Sequence, residues 1–299
     1  MKKILVLLAL FLSGCSTLIA KDSPTPTSKP PLVGPYLGQA LPESEPVVFG
    51  QAFLRGGYHS SPTFLPDGSE MYWAGNFSSA KIYFVTEQGG SWTDQQTLSL
   101  QGGFVSVRDP FISPDGKHMY FLSPAPLPGS MDSGKENIWV VNREGTEWGK
   151  PEPLPDAVNH RDLHWTISVA NNGNLYISSG SGGIGDIYKS VFADGIYSEP
   201  EKLPFPINDE VQIETTPNIA PDESYILFSR MATTNDTSRL FISYAIPNGW
   251  TEPIMVENIA SCISPMITPD RKFVFCLADP FTLIWRDTSF IDELRPRVK

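Results

Sequence analysis

"ISPDGKHMYFLS", Ile112 to Ser123, sets a Pro-Asp-Gly corner between two short apolar runs. Proline presets φ and glycine accepts the reversed φ that closes a tight turn, so the stretch reads as a hairpin. Met119 to Leu122 are apolar at consecutive positions, which marks a strand buried on both faces. Four other stretches repeat the pattern: "FLPDGSEMYWA" from Phe64, "VANNGNLYISS" from Val169, "IAPDESYILFS" from Ile219 and "ITPDRKFVFCLA" from Ile267. Their marker residues Asp67, Asp115, Asn172, Asp222 and Asp270 are spaced by 48, 57, 50 and 48 residues. A period near 50 means a repeat architecture, and every unit reads as strands.

In the second unit "DPFIS" enters the turn, "HMYFLS" leaves it, "NIWVV" makes a third strand and "NREGTEWGKPEPL" leads into a fourth. The fifth unit lacks a fourth strand. Near the N-terminus, "SEPVVFGQAF" matches the fourth-strand segment "SEPEKLPFPI" of the third unit. The expected fold is therefore all-β: a five-bladed β-propeller of four-stranded antiparallel blades, with an N-terminal strand completing the last blade and removing a free edge. Trp92, Trp148 and Trp250, with Tyr197 in the third unit, recur at the fourth-strand position and read as inter-blade core. "SPDGKHMYF", followed by "ENIWVV" and a Trp-x-x-Pro segment, resembles the WD40-like, TolB-type propeller repeats of bacterial envelope proteins. That resemblance implies an architecture and no single activity.

The first residues, "MKKILVLLALFLSGC", carry two lysines, an apolar core too short to span a bilayer, and a box ending in Cys15. They resemble a bacterial lipoprotein signal over residues 1–14, which implies lipidation of Cys15. Ser16 after it implies the outer membrane of a Gram-negative envelope. Residues 15–44 are rich in Pro, Ser and Thr and read as a flexible tether, leaving 45–299 for the propeller. Removing the signal takes away Lys2 and Lys3 and leaves 20 basic against 33 acidic residues, a net charge of −13. Such an acidic chain argues against nucleic acid as a partner and leaves the membrane to the lipid anchor alone. A monomer is expected. Cys262 and Cys276 flank the fifth turn on neighbouring strands, where a bridge or two buried thiols are both open.

In an up-and-down blade the start of the first strand and the end of the second share one face, opposite the Pro-Asp-Gly turns. Three residues before the first-strand proline, or its equivalent, stand His59, Val107, His164, Glu214 and Cys262. One residue before it stand Ser61, Asp109, Thr166, Thr216 and Ser264. These rows converge on the channel mouth, with Arg108 and Trp165 between them and Arg230 at the end of a second strand. The hydroxyl row is expected to tie each inner strand to its neighbour. The candidate binding set is His59, Arg108, Asp109, His164, Trp165, Glu214 and Arg230. His59, His164 and Glu214 together have the donor types for a divalent metal, the one cofactor the sequence suggests. "GSGGIG" from Gly180 fits a dinucleotide fingerprint but lies between two strands and opens no helix, so it reads as a loop. No nucleophile elbow or metalloprotease motif is present. The expected role is a lipid-anchored, non-catalytic binding or scaffold module for an envelope protein or a saccharide at the channel mouth. The alternative is a carbohydrate-active enzyme, a glycosidase or a metal-assisted uronate lyase, using the same His/Glu cluster.

Overall fold

The computed structural model describes residues 32–297 apart from 51–53, 55–56, 76–79, 131–134, 162, 182–183 and 235, with the backbone alone at 163–165, 181 and 184. Each marker turn closes through the same backbone bond, from the fourth-position N–H to the first-position C=O. Gly68 donates to Leu65, Gly116 to Ser113, Gly173 to Ala170, Glu223 to Ala220 and Arg271 to Thr268, all at 2.8–2.9 Å. All five donors have positive φ, from 59° at Glu223 to 85° at Gly173. Glycine takes this conformation without strain; Glu223 and Arg271 hold it at a cost on the order of 1 kcal/mol each.

The turns join the first two strands of five blades. In the first, Thr63–Phe64 pairs with Glu70–Gly75, then Lys81–Gln88, then Gln96–Thr97. The second runs Arg108–Ile112, His118–Ser123, Asn137–Glu144 and Glu152–Pro153. The third runs Leu163–Val169, Leu175–Ser181, Ile184–Ser190 and Glu201–Lys202. The fourth runs Ile213–Ile219, Tyr225–Met231, Arg239–Ile246 and Ile254–Met255. In the fifth, Ile263–Ile267, Phe273–Asp279 and Thr282–Asp287 are completed by the N-terminal Val47–Val48, with Val47 opposite Trp285. The ring thus closes as expected. Phe49, fully buried, locks that joint edge-on against Phe275 and Trp285 at 4.8 and 5.0 Å.

The second strands are buried nearly end to end, as their unbroken apolar runs require. Each blade packs its two faces against its neighbours. Tyr72 and Ile82 of the first meet Phe121 and Trp139 of the second. Tyr176 and Ile187 of the third meet Ile226 and Phe228 of the fourth. Trp148 donates from Nε1 to the Tyr72 hydroxyl at 3.0 Å, and the hydroxyls of Tyr120 and Tyr197 lie 3.1 Å apart across the next seam. The aromatic row is therefore inter-blade, but it sits one step earlier than the fourth strand. Ser91–Trp92, Glu147–Trp148 and Gly249–Trp250 fold back on the end of the third strand, and the fourth strand follows.

Four of the five inner strands carry a register shift at the hydroxyl row, where Asp109, Thr166, Thr216 and Ser264 have φ of 49°, 29°, 51° and 55°. The kink turns backbone donors sideways. Thr216 N–H reaches Ser178 Oγ, Ser264 N–H reaches Thr216 Oγ1 and Ser61 N–H reaches Ser264 Oγ, at 3.2–3.3 Å. Nearer the turns a second circuit links Ile112 N–H to Thr63 Oγ1, Ile219 N–H to Ser168 Oγ and Ile267 N–H to Asn218 Oδ1. Inner strands have no ladder partner on the channel side, so small side chains of the preceding blade supply the acceptors.

Cys262 and Cys276 form a disulfide between first and second strands of the last blade, with Cα atoms 5.0 Å apart. Ile263 pairs with Leu277, which sets the two cysteines one diagonal step from direct opposition. Residues 32–38, inside the stretch expected to be a tether, fold back onto the propeller. Leu32 and Val33 pair with Trp92 and Ser91, Leu37 is buried, and Tyr36 packs its ring on Phe64, Phe273 and Trp285. Their apolar side chains find a groove at the closing seam, a contact no periodicity announces. Cys15 and the rest of residues 1–31 lie outside the described residues. Among the described residues no helix is long and apolar enough to cross a membrane.

Candidate functional site at the channel mouth

The leading ends of the first strands and the trailing ends of the second strands meet on one face. On it, two charged pairs stand side by side at the junction of the first and second blades. His59 is held at the start of the first blade by its N–H bond to the Ala74 carbonyl. Its Nδ1 meets Asp109 Oδ1 of the next blade at 2.9 Å. Asp109 can reach because its reversed φ swings the carboxylate out of the strand. The pair is mostly buried, with side chains 12 and 2% exposed. Burial alone would lower the basicity of His59. The Asp109 carboxylate outweighs it, through its charge and its hydrogen bond, and holds the imidazole above its ordinary value. Next in sequence, Arg108 sends Nη1 to Glu136 Oε1 at 2.5 Å, at the entrance to the third strand, and this pair is more accessible at 29 and 18%.

Asp109 Oδ2, Ser61 Oγ, Thr166 Oγ1 and Arg108 Nε are buried without a hydrogen-bond partner among the described residues. Buried polar atoms are ordinarily satisfied. Here they gather at one mouth, where water or a ligand group would complete them.

Glu214 and Arg230 form a second centre on the fourth blade, as directly opposed residues of its first two strands. Glu214 Oε1 lies 2.8 Å from Arg230 Nε, with side chains 0 and 8% exposed. The contact is an ion pair whose N–H points off the line of a good hydrogen bond. Arg230 also donates from Nη2 to the carbonyls of Pro206 and Ile207 at 3.0 and 2.9 Å, and its guanidinium lies over the rings of Phe228 and Phe241. The Asp209 N–H donates to Glu214 Oε2 at 3.3 Å. Burial pushes the Glu214 carboxyl up to about 7 against the pull of Arg230.

The structure thus brings His59, Arg108 and Asp109 together and pairs Glu214 with Arg230 beneath the surface. The side chains of His164 and Trp165 lie outside the described residues, so the expected metal trio is described only in part. Its carboxylate is already held by a guanidinium, a poor fit to a cation site. Among the described residues no group of three or more His, Cys, Asp or Glu is placed to hold a metal ion. Two partners escaped sequence reasoning. Glu136 hid in the long loop from Pro124, and the tie from Arg230 to the 206–207 carbonyls depends on a loop whose path the sequence does not declare.

No protein-family model matches the chain, and no curated protein sequence matches it. Among solved structures, it is similar to the endo-arabinase of Bacteroides thetaiotaomicron, at 15% identity and a TM-score of 0.52 over 82% of this chain and 95% of that one. The putative TolB of Agrobacterium tumefaciens matches at 16% identity and a TM-score of 0.51, over 77 and 76% of the two chains. TolB of Acinetobacter baumannii matches at 16% and 0.49, and this chain spans about half of its length, 54%. The likeness is one of fold.

Proposed function

We propose that the protein is a lipid-anchored envelope propeller that binds a protein partner across the channel mouth, without catalysis. The carrying observation is the paired cluster His59–Asp109 and Arg108–Glu136, with buried polar atoms beside it that still lack partners. Paired charges hold a fixed geometry, and the unpartnered Asp109 Oδ2 and Arg108 Nε among them suit hydrogen-bonded recognition. On loops at the same end of the strands, Val105, Phe205, Val211 and Phe281 expose apolar side chains. Large apolar side chains left exposed on this face favour a protein partner over a saccharide. Anchoring through Cys15 rests on the lipoprotein-like N-terminus, and the TolB-like fold is compatible with an envelope location.

Crosslinking pull-downs from the envelope fraction test the reading with the parent, Arg108→Ala and a Phe205→Ser/Phe281→Ser double variant. Each variant is expected to lose a specific band that the parent retains. Equal capture by all three removes this face. A glycan array separates the saccharide form of the reading.

A second reading, a glycosidase, is favoured by one observation: a carboxyl buried beneath the mouth, Glu214, whose proton affinity lies near neutrality as a general acid requires. It would need Arg230 to swing away so that substrate reaches the carboxyl. Release of reducing ends from arabinan or other polysaccharides, abolished in Glu214→Gln, would support it. Absence of release from a broad panel rejects it.

A further inference from the structure

The channel opens a second time, on the face of the marker turns. A cavity of about 280 Å³ lies there on the axis, with walls from all five blades. Phe64, Phe111, Val169, Ile219 and Met266 supply apolar surface, and turn residues from Pro66 to Pro269 form the rim. The volume is just below the usual range of about 300–1,000 Å³ for small-molecule sites, which suits a small ligand or a single side chain.

Two features give the wall between the fourth and fifth blades a polar character. Tyr225 is wholly buried and lines the cavity, and its hydroxyl makes no well-aligned hydrogen bond but lies within reach of the Arg271 guanidinium. Arg271 lies beside it, its guanidinium carbon 5.8 Å from the Tyr225 ring centre. Arg271 occupies a turn position with φ of 60°, where three of the five repeats place glycine. Glu223, the other departure, offsets its strain by accepting from Tyr176, Asn172, Asn174 and Lys189. Arg271 makes no ion pair within 4.0 Å among the described residues, although its charge reaches the Asp222 carboxylate. The turn acids nearby are occupied locally: Asp222 Oδ1 by the N–H and hydroxyl of Ser224, Asp270 Oδ1 by Thr268 and the Lys272 N–H. A strained cation, the tyrosine hydroxyl it touches and an apolar hole therefore share one wall.

We propose that this cavity binds a carboxylic acid with an apolar body, which is either a free small acid or the C-terminal residue of a peptide. The body fills the axial hole, the carboxylate meets Arg271 at the rim, and the Tyr225 hydroxyl donates to it. The site is independent of the opposite mouth.

Isothermal titration of the full chain with 3-phenylpropionate and its amide, and with Gly-Gly-Phe and its C-terminal amide, tests the proposal. Arg271→Gly restores the relaxed turn and cannot fail by backbone strain, so it is the decisive variant. Tyr225→Phe keeps the ring. The parent is expected to bind at least one acid and to reject its amide, with affinity falling about tenfold or more in Arg271→Gly and several-fold in Tyr225→Phe. Binding of phenylpropionate without the peptide identifies a free acid; tighter binding of the peptide identifies a chain terminus. Failure of both acids at millimolar concentration, equal binding of acid and amide, or full affinity in Arg271→Gly overturns it.

Discussion

Replacing Glu223 by glycine returns the fourth turn to the repeat consensus, and by local reasoning it should stabilise the protein. The reversed φ of 59° would relax, a gain of about 1 kcal/mol. The opposite outcome is expected. The Glu223 carboxylate accepts from the Tyr176 hydroxyl at 2.6 Å, from Asn172 and Asn174 at 2.8 and 3.0 Å, and meets Lys189 Nζ at 2.9 Å. Burial works to raise its proton affinity, but these donors prevail and bring the carboxyl down to about 2. Against an ordinary value of 4.5, that shift corresponds to about 3 kcal/mol of stability at neutral pH. The side chain is 22% exposed, so little of this is screened away. Glu223→Gly should thus lose a net 2 kcal/mol or so, and Glu223→Gln, which keeps the reversed φ, about 3 kcal/mol, read as a lowered Tm. The folded-state value lies below the unfolded one, so the stabilisation is present above about pH 4.5 and is lost as pH falls toward 2. More than half should be gone by pH 3. Thermal melts of the three proteins at pH 7 and pH 3 decide the matter. Equal melting of parent and Glu223→Gly at pH 7, or a gap to Glu223→Gln undiminished at pH 3, refutes the reasoning.

Asp109→Asn should lower the His59 titration midpoint in an NMR pH series, because the neighbouring carboxylate is what raises it. For that raised group the coupling contributes to stability below about pH 6.5 and fades as pH climbs through the folded-state midpoint. Phe49→Ala should cost about 3–5 kcal/mol by chemical denaturation, since the ring is fully buried at the closing seam. Reducing the Cys262–Cys276 bridge, or replacing both cysteines by serine, should cost about 2–3 kcal/mol for a loop of 14 residues. A Cys15→Ala variant should leave the membrane pellet for the soluble fraction, and retention in the pellet counts against the anchor.

Blade number, strand order and the closing strand were legible because they rest on the marker turn and on the apolar run behind it, both of which are local signals. The hydroxyl row was legible in part: Thr216 and Ser264 side chains accept the next blade's N–H, whereas the Ser61 and Thr166 hydroxyls tie to nothing among the described residues. Partners were less accessible. Nothing about Glu136 distinguishes it from other loop acids until the third strand brings it to Arg108. Arg230 was placed on the right face, but its burial against Glu214 follows from strand register, which a repeat pattern fixes only to within a residue or two. The turn-face cavity was missed because the consensus directs the eye to conserved spacing, while Glu223 and Arg271 inform by departing from it.

The pairing of Val47 with Trp285 has a consequence for biogenesis. A ribosome that has produced four and a half blades has not yet made the edge on which residues 47–48 dock, so those residues must wait, unpaired, for nearly the whole of synthesis. Any product truncated before Thr282 would present an open arc with an exposed sheet border, a natural substrate for proteolytic clearance. The same arrangement makes the ring a test of completeness: only a finished polypeptide can bolt itself shut.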